Sequence, residues 1–192
     1  TRSVSSAASD VYKRQETKEQ WFLHLSYIKP HWPYIAPAPY HNMYSQNQFY
    51  PVQRSNAEKE INHPVYKAFR ENSISKTFSQ ENVRETVLAG YMGLIKQIDD
   101  NLGRLFKFLE ENGNMEDTMI VFTSDHGDYH GDHWLGEKEL FHEQIVKVPM
   151  IIYDPTEDAN NTRGKKEKRF IEAIDLLPCL LYTSDAADET ER

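Results

Sequence analysis

The fold of this chain turns on the stretch Met119-Ile-Val-Phe-Thr-Ser-Asp-His-Gly-Asp-Tyr-His-Gly-Asp-His-Trp-Leu-Gly-Glu-Lys138. Its opening, Met119-Ile-Val-Phe122, is short, apolar, β-branched and aromatic, the composition of a buried strand. The run stops at a polar, glycine-punctuated segment, and the ends of strands in an open α/β sheet are where ligand chemistry collects. Six of the sixteen residues from Thr123 to Lys138 are Asp or His, and a lysine closes the stretch. Metal donors and an anion-binding charge at that density point to chemistry rather than scaffold.

Asp125 and His126 are the first polar pair after the strand, where two adjacent side chains can turn toward one ion. Gly127 is predicted to let the backbone bend sharply behind them. A carboxylate with an imidazole suits Mn, Mg, Zn or Fe, whereas Ca prefers oxygen alone. Two donors do not complete a site, so further ligands must come from elsewhere. The plainer reading is an Asx-turn beside a surface histidine; the strand before the pair and Lys138 after it favour the site. Lys138 would offer a point charge to a tetrahedral anion, although a lysine in Gly-Glu-Lys-Glu is ordinarily a solvated turn residue. His31, in Lys29-Pro-His-Trp-Pro33, sits in a proline-stiffened loop where a structural histidine is the usual occupant. Held rigidly, it could bind an anionic oxygen or protonate a leaving group. Asp128, His130, Asp132 and His133 could add ligands, but Tyr129 and Gly131 interrupt any regular spacing. An EF-hand is excluded by Gly127, and a zinc finger by the lack of thiols.

Outward from this stretch, Trp21-Phe-Leu-His-Leu-Ser-Tyr-Ile28 predicts a strand ended by Lys29-Pro30. Four prolines between Pro30 and Pro39 predict a stiff extended loop. Residues 40–78 read as irregular with short helical pieces. Leu88, Tyr91, Ile95, Ile98, Leu102, Leu105 and Leu109 recur at three- and four-residue steps, the core-facing stripe of a long amphipathic helix, with Gly113 placed for a left-handed C-terminal cap. Val148-Pro-Met-Ile-Ile-Tyr153 is the next strand. The order of elements predicts an α/β domain with helices packed on a largely parallel sheet.

At 192 residues the chain has length for one domain with a core. No apolar run approaches the roughly 20 residues needed to span a bilayer, and no signal pattern opens the chain, so no membrane partner is expected. A net charge of −8 without a basic stripe argues against nucleic acid. The lone Cys179 excludes an internal disulfide framework. Residues 1–15 and 179–192 lack amphipathic or strand patterning and resemble translated adapter sequence. On that expectation, authentic sequence runs over residues 16–178 as part of a longer domain.

These residues resemble the sulfatase and phosphonate monoester hydrolase group of the alkaline phosphatase superfamily. The resemblance is carried by Phe22-Leu-His-Leu-Ser-Tyr27, Lys29-Pro-His-Trp-Pro-Tyr34, Ile98-Asp-Asp-Asn-Leu-Gly103, Ile120-Val-Phe-Thr-Ser-Asp-His-Gly-Asp128, Lys147-Val-Pro-Met-Ile-Ile152 and Glu172-Ala-Ile-Asp-Leu-Leu-Pro178, the first of these resembling a strand of the family. It implies an alkaline-phosphatase-like α/β sheet flanked by helices and incomplete in this chain. It implies that Asp125 and His126 bind a catalytic divalent metal (Ca, Mn or similar), and that Lys138 and His31 contact the transferred group or the leaving oxygen. Many sulfatases carry Asn at the position of His126 and use Ca, so the imidazole implies an Mn-type site and phosphonate or phosphodiester cleavage. The implied substrate is a small-molecule sulfate or phosphonate ester. The family's nucleophile, formylglycine made from Cys or Ser in a Cys/Ser-x-Pro-x-Arg motif, has no counterpart in the 192 residues, and is expected upstream in the intact enzyme. Two alternatives remain: a phosphodiesterase of the same superfamily with a Thr or Ser nucleophile, and a non-catalytic metal- or glycan-binding relative. Oligomeric state and compartment are not encoded in any of these features.

Overall fold

The structure, a computed structural model, describes residues 21–45 and 48–183. Of the segments read as adapter-like, residues 1–15 and the 184–192 part of 179–192 fall outside the described residues, while residues 179–183 are helical. Among those described, the helices are α1 (Pro64–Glu71), α2 (Ser73–Phe78), α3 (Glu81–Glu111), α4 (Glu143–Val146) and α5 (Leu176–Thr183). The strands are β1 (Ile120–Thr123) and β2 (Met150–Tyr153). The chain divides into two units, residues 1–49 with 85–102 and residues 50–84 with 103–192.

In the first unit, Trp21–Ile28 has the composition of a strand but does not form one. Phe22 and Ile28 are 74% and 80% exposed, and no described strand pairs with the segment. A strand exists only through its ladder, so apolar composition without a partner leaves an extended chain. After it, Lys29 Nζ donates to the His31 and Pro33 carbonyl oxygens at 3.2 and 2.7 Å, closing the turn on which His31 sits. The middle of α3 packs against the following loop through two glycines. A Cβ on Gly90 would overlap the Tyr34 carbonyl oxygen, and one on Gly93 would meet the Tyr40 carbonyl oxygen. Leu94 is almost fully buried, while Ile95 of the expected stripe is exposed.

In the second unit, Pro64 occupies the first turn of α1, where its missing N–H costs nothing. Asn72 caps α2 by accepting the Ser75 N–H at 2.7 Å. The end of α3 meets the expectation for Gly113. Its φ of +69° lets its N–H reach the Glu110 carbonyl at 3.1 Å, and the Asn114 N–H reaches Leu109 at 2.9 Å. This paired closure is a Schellman motif.

The sheet differs from expectation in direction. β1 and β2 pair antiparallel, with Ile120 opposite Tyr153 and Thr123 opposite Met150. Parallel pairing needs a crossover, usually a helix, and residues 124–149 hold a glycine-rich loop and only the four-residue α4. Ile151 and Ile152, which point to opposite faces of β2, are both exposed. Apolar side chains on both faces are the pattern of a strand built to be covered on both sides. The core of this unit is Tyr66, Tyr129, Leu135 and Ile145, with Phe69 and Leu140 packed against it. Tyr129 and Leu135 come from the Asp- and His-rich stretch itself.

Candidate active site

β1 delivers the site. Thr123 Oγ1 donates to the Pro149 carbonyl at 2.9 Å, tying the end of β1 to the start of β2. Ser124 Oγ then donates to the His126 carbonyl at 2.9 Å, and the His126 N–H donates to Asp125 Oδ1 at 3.0 Å. These bonds fix the backbone at His126 and the Asp125 carboxylate. His126 Nδ1 lies 2.8 Å from the Gly127 carbonyl oxygen. A carbonyl can only accept, so Nδ1 is the donor in this contact and Nε2 is the ring nitrogen turned toward Asp125. That nitrogen is 3.4 Å from Asp125 Oδ2.

The geometry suits a divalent cation. Metal bonds of about 2.0–2.2 Å at tetrahedral or octahedral angles set neighbouring ligand atoms roughly 3.0–3.5 Å apart. The ring orientation is the one a metal-binding imidazole needs, with its other nitrogen donating to a carbonyl. The Asp125 side chain is 84% exposed, and the described residues contain no group of three or more His, Cys, Asp or Glu arranged to hold an ion.

Gly127 acts differently from the sequence expectation. Its φ is not in the left-handed region; instead its N–H donates to the Ile145 carbonyl at 2.8 Å, and a Cβ would overlap the Gln144 carbonyl oxygen. The glycine is needed for close approach to α4, not for a bend.

The remaining acids and histidines of the stretch make contacts within the fold. Asp132 Oδ1 accepts the Gln53 N–H at 2.9 Å. His130 is buried with Nε2 3.6 Å from Asp128 Oδ2, and burial holds its imidazole below the ordinary value. His133 lies between Glu58 Oε1 (2.7 Å, Nδ1) and Gln144 Oε1 (3.2 Å, Nε2), stacked on His142 at 4.1 Å between ring centroids. His142 Nδ1 is in turn 2.7 Å from the Tyr129 hydroxyl. Burial, then the facing His133, lowers the His142 value, and burial pushes Tyr129 up to about 12. Burial alone would raise the Glu58 carboxyl, but the Ser55 N–H and His133 outweigh it and hold it low.

Residues 53–59 form the grip that sequence reading missed. The His133 N–H donates to the Gln53 carbonyl at 2.8 Å, and Trp134 Nε1 to the Ser55 carbonyl at 2.7 Å. Arg54 and Lys59 lie over the Trp134 ring at 4.3 and 3.6 Å from its centroid. No local signal in the polar run Gln53-Arg-Ser-Asn-Ala-Glu-Lys59 marks it as the partner of a loop so distant in sequence.

Lys138 follows directly. Its N–H donates to Glu139 Oε2 at 3.0 Å, and its side chain is flanked in sequence by Glu137 and Glu139. Burial, then a hydrogen bond and charge from Glu139, raises the Glu137 carboxyl, against the pull of Lys138. His31 belongs to the first unit, where its Nδ1 lies 2.9 Å from the Trp32 carbonyl oxygen and its ring tilts against Trp32 at 5.7 Å.

Comparison with known proteins follows the same lines. The sulfatase family model matches residues 3–186. A multifunctional alkaline phosphatase superfamily protein of Trinickia caryophylli is 37% identical over 184 residues, covering 89% of this chain and 35% of the relative. An arylsulfatase of Clostridium perfringens is 32% identical over 185 residues, covering 94% of this chain and 37% of its own length. Among solved structures, the phosphonate monoester hydrolase of Agrobacterium radiobacter matches with a TM-score of 0.82 and 29% identity, over 92% of this chain and 37% of that one. The chain thus spans little more than a third of the proteins it resembles. Its fold is the alkaline-phosphatase-like α/β architecture, present here in part.

Proposed function

Because this chain belongs to the sulfatase family of the alkaline phosphatase superfamily, we propose that it supplies half of the metal site and the anion-binding lysine of a hydrolase acting on sulfate or phosphonate esters. The observation that carries this is the Asp125–His126 pair, with Nε2 and Oδ2 at 3.4 Å and Nδ1 turned to the Gly127 carbonyl. Asp125 offers a charged oxygen and His126 a nitrogen. A divalent cation bound there would neutralise charge on the transferring group. Lys138 supplies a fixed positive charge for the anionic oxygens of that group, an electrostatic task typically worth ~3–4 kcal/mol per well-placed donor. His31, whose Nδ1 is turned to the Trp32 carbonyl, is a candidate for proton exchange with a leaving oxygen. The covalent nucleophile of this reading, formylglycine, is supplied from outside these 192 residues.

The mixed donor set favours Mn over Ca, because imidazole nitrogen is softer than the all-oxygen shells Ca prefers. The experiment is an Mn(II) titration of the chain followed by paramagnetic broadening of backbone resonances. Broadening centred on Asp125 and His126 and absent in Asp125→Ala supports the reading. Broadening elsewhere, or unchanged in Asp125→Ala, removes it.

A further inference from the structure

We propose that Glu58 is a positioning residue for the anion site: through His133 it holds the strained loop whose exit delivers Lys138. The inference rests on the reading of Lys138 as an anion-binding charge. Among the described residues, the non-glycine positions with positive φ all fall in one eight-residue segment: His130 (43°), His133 (55°), Trp134 (63°) and Glu137 (60°). Such backbone persists only where the surroundings over-determine it. The loop is closed on itself by the Tyr129 N–H to the Glu137 carbonyl and the Gly131 N–H to the Leu135 carbonyl, each at 2.9 Å. Lys138 is the next residue, so a torsional change at His133 or Trp134 redirects it.

His133 is where the loop is held. Its N–H reaches Gln53, its carbonyl accepts the Tyr66 hydroxyl at 2.8 Å, and its ring lies between Glu58 and Gln144. Gln144 is oriented by its own donation from Nε2 to Gln53 Oε1 at 3.1 Å. The Gln144 oxygen therefore faces the histidine. Glu58 is fixed independently: Oε2 accepts the Ser55 N–H at 2.7 Å, leaving Oε1 for His133, and its carbonyl accepts from Arg70 on α1 at 2.8 Å. Its carboxylate is thus the charged link between an anchored segment and the strained loop. With both side chains at least three-quarters buried, this charge-assisted bond is screened less than a surface pair.

The test is hydrogen exchange on the Tyr129 and Gly131 amides in the chain, with the Asn114 amide as reference for global opening. Glu58→Gln keeps size and the Ser55 acceptor but removes the charge. His133→Asn removes the imidazole while tolerating the left-handed backbone. Each should lower protection of the two loop amides about tenfold, the scale of a hydrogen bond to a charged group, and leave Asn114 unchanged. The double variant should lose no more than the larger single one, because the two residues act through one bond. If Glu58→Gln fails to fold, Glu58→Asp, which keeps the charge at shorter reach, gives the same comparison. Additive losses, or full protection in Glu58→Gln, overturn the proposal. A second readout follows the Lys138 resonances on adding inorganic phosphate. A shift in wild type that is several-fold weaker in Glu58→Gln supports the positioning role. An equal shift in both overturns that role alone, and no shift in wild type overturns the reading of Lys138 and the proposal with it.

Discussion

A methyl group on Gly127 would occupy the position of the Gln144 carbonyl oxygen, and backbone on backbone cannot be relieved by a rotamer change. Gly127→Ala should therefore destabilise the second unit by about 1–3 kcal/mol, the ordinary cost of overpacking, read as a lower urea midpoint. Asp125→Ala should move that midpoint little, because its side chain is largely in water, while abolishing Mn(II) broadening. The contrast separates a residue kept for folding from its neighbour two positions away. Asp125 and His126 stand out in the sequence because they lie within a few residues of the end of β1 and declare themselves by side-chain type; Lys138, fifteen residues past that end, stands out by type and motif alone. The structural tasks of His133 and Asp132 do not, because their partners Glu58 and Gln53 lie 75 and 79 residues away. Contacts at such separation leave no period or spacing in one sequence.

Helices and turns were more readable than strands. The long helix, its end at Gly113 and the strand segments at 120–123 and 150–153 follow local pattern, since helix bonds close within four residues. The extended Trp21–Ile28 and the direction of the β1–β2 pair depend on what lies alongside, which composition does not encode. At Gly113, alanine must adopt a φ of +69°, so Gly113→Ala should cost about 1–2 kcal/mol, seen as a lower melting temperature and faster exchange at Asn114. The His133–His142 stack predicts a pH dependence. His142 is held below its ordinary value of 6.5 by burial and by His133, with Glu58 pulling the other way; Tyr129, Tyr66 and Glu139 face the same cluster. A base whose folded value is depressed takes up protons more readily when unfolded. Its contribution to stability is complete above about pH 6.5 and falls as pH drops toward the folded value. Stability measured from pH 7 to pH 5 should decline, and His142→Phe, which keeps a stacked ring without the proton, should flatten that part of the curve.

At the scale of the whole chain, the proposed donors Asp125 and His126 and the proposed anion-binding Lys138 stand in a 192-residue sequence with no Cys/Ser-x-Pro-x-Arg motif. Expressed alone, the chain should show no measurable hydrolysis of aryl sulfates or aryl phosphonates, since losing a covalent nucleophile costs on the order of 10⁶ where measured in triad enzymes. Turnover at ordinary enzyme rates would refute the assignment of its parts. The core formed by Tyr129 and Leu135 has a consequence for how such a molecule is dissected. An alanine scan through the motif in an intact enzyme carrying the nucleophile, scored only by product formed, would rank His130, His133 and Tyr129 beside Asp125 and His126 as essential. Loss at the first three would report protein that never reached its shape, and loss at the last two would report shaped protein that no longer works. Only a scan that counts folded molecules before counting turnovers can tell a broken tool from one that was never assembled.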